Sequence, residues 1–114
     1  MKLKLIATLF ATSAIALLSA TSASAAPDAA SAEALAKKSG CTKCHAVDKS
    51  KKGPSYKKIA AKWKGKTDAE AKLIENITKA PKVKFEDGTE EEHKVVDSKD
   101  QKEIKNLVQW VLAQ

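Results

Sequence analysis

Several residue types are scarce or missing in this sequence, and each shortage closes off a class of protein. No arginine occurs; all 21 basic residues are lysine. Two histidines and two cysteines are present, and the single methionine is Met1. There is no Ser-His-Asp motif and no phosphate-binding loop, so the chain is not expected to be an enzyme. Long apolar runs are absent as well. The longest, Leu5 to about Ala20, is short of the roughly 20 residues that a membrane span needs. It follows Lys2 and Lys4 and leads to Ala23-Ser24-Ala25, a pattern that suits signal peptidase. Residues 1–25 therefore read as an export signal, and residues 26–114 as one mature domain without a membrane span. No cysteine sits at the cleavage site to take a lipid.

Bulky apolar groups are few. Tyr56, Trp63, Phe85 and Trp110 are the only aromatics after the signal. A domain this small buries a modest core and usually needs a disulfide, a metal or a large cofactor to supplement it. Cys41 and Cys44 are three apart, so a bridge between them would close a tiny loop and stabilise little.

What is present is helical. A first helix is expected over about 28–40, with Asp28 or Ser31 as N-cap and Gly40 as the stop. A second runs about 55–63 and buries Ile59, Ala60 and Trp63. A third runs from Thr67, paired with Glu70 in a capping box, to about Lys79, before Pro81. The fourth opens on a Ser98/Gln101 capping box and carries Ile104, Leu107, Val108, Val111 and Leu112 at helical spacing. The segment 80–97 has no helical period. Asp87-Gly88 marks a turn there, and both a short hairpin and a plain loop fit.

Cys41-Thr42-Lys43-Cys44-His45 follows the first helix, and C-x-x-C-H is the haem c attachment pattern. Two thiols about one helical turn apart reach the two vinyl groups of one haem, and the next residue, His45, lies where it can bind the iron. A thioredoxin-type site would call for a βαβ pattern. A zinc site made of Cys41, Cys44, His45 and His93 suffers from the adjacency of Cys44 and His45. One covalent haem c is the expected cofactor.

With these residues in view, the chain over 28–114 resembles the class I c-type cytochromes of the short bacterial type. The shared pieces are Gly40 to His45, Gly53-Pro54-Ser55-Tyr56, Ile59 to Trp63 and Trp110-Val111-Leu112, in that order. The resemblance implies an all-α fold of about four helices around one haem. It implies that the first and last helices pack together near Gly40, with Trp110 close by. It implies that the Pro54 carbonyl orients His45, and that Tyr56 or Trp63 either donates to a haem propionate or serves as packing.

The sequence departs from that family at the second axial position, where the family usually places a methionine. The chain has none to offer there. His93, seventeen residues before Trp110, stands near that place, and His45/His93 coordination is expected instead.

Eleven lysines fall between Lys37 and Lys66, with Asp48 the only acid among them. A basic face of this kind flanking the attachment motif suits redox partners with acidic docking surfaces. Export argues against nucleic acid. The expected function is a monomeric periplasmic electron carrier. The alternatives are a haem c ligand-binding protein and a small subunit of a larger redox enzyme. The electron donor and acceptor are not legible in the sequence.

Overall fold

The computed structural model describes residues 25–114, so the expected export signal lies outside the described residues apart from Ala25. Helix α1, Ala29–Lys38, begins where the Asp28 side chain accepts from the Ser31 backbone N–H at 3.0 Å. Lys37 and Lys38 in its last turn complement the helix dipole. Ala32, Leu35 and Ala36, at i, i+3 and i+4, form its buried stripe. Helix α2, Tyr56–Trp63, is capped by Ser55, whose hydroxyl accepts from the Lys58 N–H. Ala60 is buried, while Ile59 and Trp63 are half-buried.

Helix α3, Ala69–Thr78, starts after Asp68 with no side-chain cap, so the Thr67/Glu70 capping box does not form. Helix α4, Gln101–Leu112, is capped by Asp100 through the Lys102 N–H at 2.8 Å. Ser98 takes a supporting place instead of the cap. Its hydroxyl donates to Glu103 and accepts from the Asp100 N–H.

Helix α4 is the centre of the fold, and α1, α2 and α3 all pack on it. Ile104, Leu107, Trp110 and Val111 meet the α1 stripe, Tyr56 and Val96 in one core. Two side chain–backbone bonds between Asn106 and Asp28 tie the start of α1 to α4, at 2.8 and 2.9 Å.

Between α3 and α4 the chain forms a hairpin rather than a plain loop. Strand β1, Lys82–Lys84, pairs antiparallel with β2, Glu90–Glu92, with Lys82 opposite Glu92 and Lys84 opposite Glu90. Cross-strand opposite charges favour that register. The bond from the Phe85 N–H to the Thr89 carbonyl closes a three-residue loop with Gly88 at φ +86°. That loop type requires a residue in the left-handed region, which glycine enters without strain. Among the described residues the fold is thus four α-helices, a short 3-10 segment and one two-stranded ribbon.

Candidate functional site

Gly40 ends α1 in the left-handed conformation, φ +75°, and turns the chain into a short 3-10 segment, Cys41–Lys43. The aliphatic stem of Lys94 covers it, 3.6 Å from where a Cβ would stand. Helix α4, which was expected at this point, is not among its nearest neighbours. The Cys44 and His45 N–H groups both donate to the Cys41 carbonyl, at 3.1 and 2.9 Å. This tight turn holds Cys41, Cys44 and His45 in one short segment. Both cysteines are free and half-buried, and burial pushes the Cys41 thiol above its ordinary pKa.

The His45 ring is fixed on three sides. Its Nδ1 lies 2.6 Å from the Pro54 carbonyl. A carbonyl can only accept, so Nδ1 carries the proton and Nε2 keeps its lone pair free. Tyr56 stacks on the ring with centroids 5.6 Å apart, and Trp110 meets Tyr56 edge-on at 5.2 Å. Gly53 closes the third side, since a Cβ there would stand 2.6 Å from His45 Cε1. Burial holds the imidazole below its usual pKa, outweighing the Pro54 bond that raises it, and His93 nearby lowers it further. A neutral imidazole with a free Nε2 is the metal-binding form of histidine.

His93 follows β2, and the hairpin carries it to the same place. Its N–H donates to the Pro81 carbonyl at 2.8 Å, continuing the ladder by one step. Its Nδ1 donates to the Lys94 carbonyl at 2.9 Å, which again leaves Nε2 free. The two imidazole centroids lie 6.1 Å apart, with planes tilted by 39°. Two metal–nitrogen bonds of about 2 Å, each extended by roughly 1 Å to the ring centre, span about 6 Å. The two rings are thus spaced as two nitrogen ligands of one iron-centred group would be, and Cys41 and Cys44 precede His45 within one short segment. Among the described residues, no group of three or more His, Cys, Asp and Glu side chains forms a cage for a bare metal ion.

The two aromatic candidates separate. Tyr56 belongs to the His45 cluster. Its hydroxyl is buried without a hydrogen-bond partner among the described residues, and burial pushes its pKa up to about 12. Trp63, two turns further along α2, lies in an open groove with Leu112 and Gln114. Lys66 and Lys62 stand over its ring at 5.0 and 5.9 Å.

A family model described as cytochrome c matches residues 29–114. The chain belongs to the cytochrome c family. The class 1 cytochrome MtoD from Sideroxydans lithotrophicus ES-1 superposes with a TM-score of 0.74 at 55% identity, covering 77% of this chain and 97% of that one. Cytochrome c-551 of Pseudomonas aeruginosa is 37% identical over 82 residues, 72% of this chain and 75% of the relative. Cytochrome c-552 of Hydrogenobacter thermophilus is 35% identical over 81 residues, 71% and 79% of the two chains. This cytochrome is thus of class I, monohaem, with one covalently attached haem c, and electron transfer through that haem is its activity. Cys41 and Cys44 fit the attachment motif.

Two contributors escaped the reading of the sequence. Gly53 stands in the sequence only as part of the Gly53-Pro54 piece; its approach to His45 has no local signal. Lys52 looked like one more member of the basic face. In the fold its ammonium is 2.5 Å from Glu91 Oε1 and 4.6 Å from the centre of the Phe85 ring. Other lysines of that face are engaged too. Lys38 pairs with Asp97, Lys57 with Asp48, and Lys51 donates to the Thr42 carbonyl. Lys43 and Lys49 carry no ion pair or hydrogen bond from their ammonium groups among the described residues, and Lys43 lies between the two cysteines.

Proposed function

We propose that this cytochrome is a periplasmic one-electron carrier with its haem iron bound between His45 and His93. The observation that carries the reading is the 6.1 Å separation of the two imidazoles, each with its Nδ1 already donated to a carbonyl. The haem supplies a reversible one-electron change at iron. The protein's part is to hold and shield. Cys41 and Cys44 form the two thioether bonds. His45, oriented by Pro54, binds one face, and His93 binds the other. With His45 and His93 both holding the iron, it would have no position open for a substrate. That supports a carrier over a ligand-binding protein. Tyr56, whose buried hydroxyl has no hydrogen-bond partner among the described residues, donates to a propionate; Trp63 packs beneath its two lysines at the outer groove.

Export of a monomer after removal of residues 1–25 is consistent with the leader pattern, and no helix among the described residues is long and apolar enough to cross a membrane. The basic face around Lys43 and Lys49 faces acidic redox partners. Imidazole favours ferric iron more than thioether sulfur does, so the potential is expected below that of methionine-ligated relatives.

The test is the spectrum of His93→Ala. The ferric wild type should be low-spin. The variant should turn high-spin and, once reduced, bind carbon monoxide. The control Lys99→Ala should stay low-spin. A low-spin spectrum retained in His93→Ala would overturn the His93 assignment.

A further inference from the structure

His93 sits at the base of a hairpin that is weakly held. The hairpin leaves α3 at a sharp corner, Ala80, a non-glycine residue at φ +50°. On its far side the chain is pinned three residues past His93, where the Val96 N–H donates to the Ile77 carbonyl. The Asp97 N–H then donates to the buried Ser39 hydroxyl at 2.9 Å. The ribbon itself, residues 82–92, has strands with exposed outer positions. Lys82, Lys84, Glu90 and Glu92 all point to solvent. Alternation along the strands puts Val83, Phe85, Glu91 and His93 on the opposite, inward face.

Only one hydrogen-bonded or ionic contact ties that ribbon to the remainder of the described residues. It is made by Lys52, in the segment between Cys44 and α2. The Lys52 ammonium reaches both arms, bonding Glu91 on β2 and standing over the Phe85 ring just after β1. Glu91 is two residues from His93 on the same face of an extended strand, so a restraint on Glu91 is passed along the backbone to the imidazole.

We infer that Lys52 is a positioning residue for the distal axial ligand: it latches the hairpin through Glu91 and Phe85 and so keeps His93 facing His45. This rests on the His93 ligation proposed above. The Glu91 bond raises the Lys52 pKa, so the latch stays charged through the physiological range. Lys52 and Glu91 are 45% and 57% exposed, so the latch is weak and sensitive to salt. It therefore governs how often His93 lets go, without deciding whether it binds.

The experiment uses the ferric haem-loaded protein and cyanide. Cyanide can enter only after His93 leaves, so the limiting rate at high cyanide reports the release step. Lys52→Ala and Glu91→Gln should each raise that rate roughly three- to tenfold. Their double variant should gain little more than either alone. The charge swap, Lys52→Glu with Glu91→Lys, rebuilds the ion pair but not the ammonium over the Phe85 ring, so it should restore part of the wild-type rate. Raising salt should speed the wild type and leave the variants nearly unchanged. Glu86→Gln, in the exposed loop of the ribbon, is the control and should match the wild type. If Lys52→Ala and Glu91→Gln release at the wild-type rate while His93→Ala is high-spin, the latch is wrong and the ligation stands. If His93→Ala stays low-spin, the ligation fails and the latch with it.

Discussion

A single added methyl group at Gly53 tests the architecture of the His45 side of the site. A Cβ at Gly53 would lie 2.6 Å from His45 Cε1, 3.0 Å from His45 Nδ1 and 3.2 Å from the Cys44 carbonyl oxygen. Carbon atoms normally rest about 3.5–4.0 Å apart, so the shortfall against Cε1 is about 1 Å. The backbone cannot easily retreat. The Gly53 N–H donates to the Cys44 carbonyl at 2.8 Å, and its carbonyl accepts from the Lys51 N–H at 2.9 Å. The imidazole must give way instead. Its Nδ1 is 2.6 Å from the Pro54 carbonyl, and a shift of about 1 Å carries that bond past its outer limit of about 3.2 Å. Overpacking costs about 1–3 kcal/mol and the lost hydrogen bond about 1 kcal/mol. Gly53→Ala should therefore destabilise the haem-loaded protein by about 2–4 kcal/mol, which for a domain of this size lowers Tm by on the order of 10–25 °C. Losing the Nδ1 bond also makes the imidazole a weaker donor, so the reduction potential should rise. The comparison variant is Gly65→Ala. Gly65 has φ +76° but nothing within 4 Å of its would-be Cβ. That variant should cost about 1–2 kcal/mol of backbone strain and leave the potential unchanged. A Gly53→Ala protein that melts within a few degrees of wild type at the wild-type potential would refute the steric reasoning.

Three further outcomes are expected. Denatured mature protein should keep its haem, with a mass one haem above the chain that begins near Ala26; two free thiols, or a disulfide, in the mass spectrum would contradict thioether attachment. Electron transfer to an acidic partner should slow as salt rises, because screening shortens to about 8 Å near 0.15 M, and reversing Lys43 and Lys49 to Glu should slow association more than reversing Lys102 and Lys105. Equal effects at both pairs would argue against docking beside the attachment motif. Tyr56→Phe should destabilise the haem-loaded protein by about 1 kcal/mol, as expected for the loss of a hydrogen bond to a propionate. An increase in stability would mean that the buried hydroxyl has no partner even with haem bound.

Much of this cytochrome is decided within a few residues of chain. The thiol spacing of Cys41 and Cys44, the His45 that follows them, and the apolar stripe of α4 are local patterns, and local geometry converts each directly into a site or a helix. Helix starts were legible to within one or two residues. The exact caps were not, because Ser98 and Asp100 offer competing acceptors and only packing of the helix chooses between them. The hairpin was one of two equal readings, since three-residue strands carry too short a pattern to identify themselves. Tyr56 and Trp63 share one helix, and only the placement of α2 on α4 put Tyr56 against His45 and Trp63 at an outer groove. The meeting of His45 with His93 and the grip of Lys52 on Glu91 join residues dozens of positions apart in the sequence. Composition and position in the chain pointed to His93, but no local rule can supply a 6.1 Å separation. That distance exists because the hairpin is anchored at α3 and at Ser39, and the packing of α1 and α3 on α4 sets where those anchors stand.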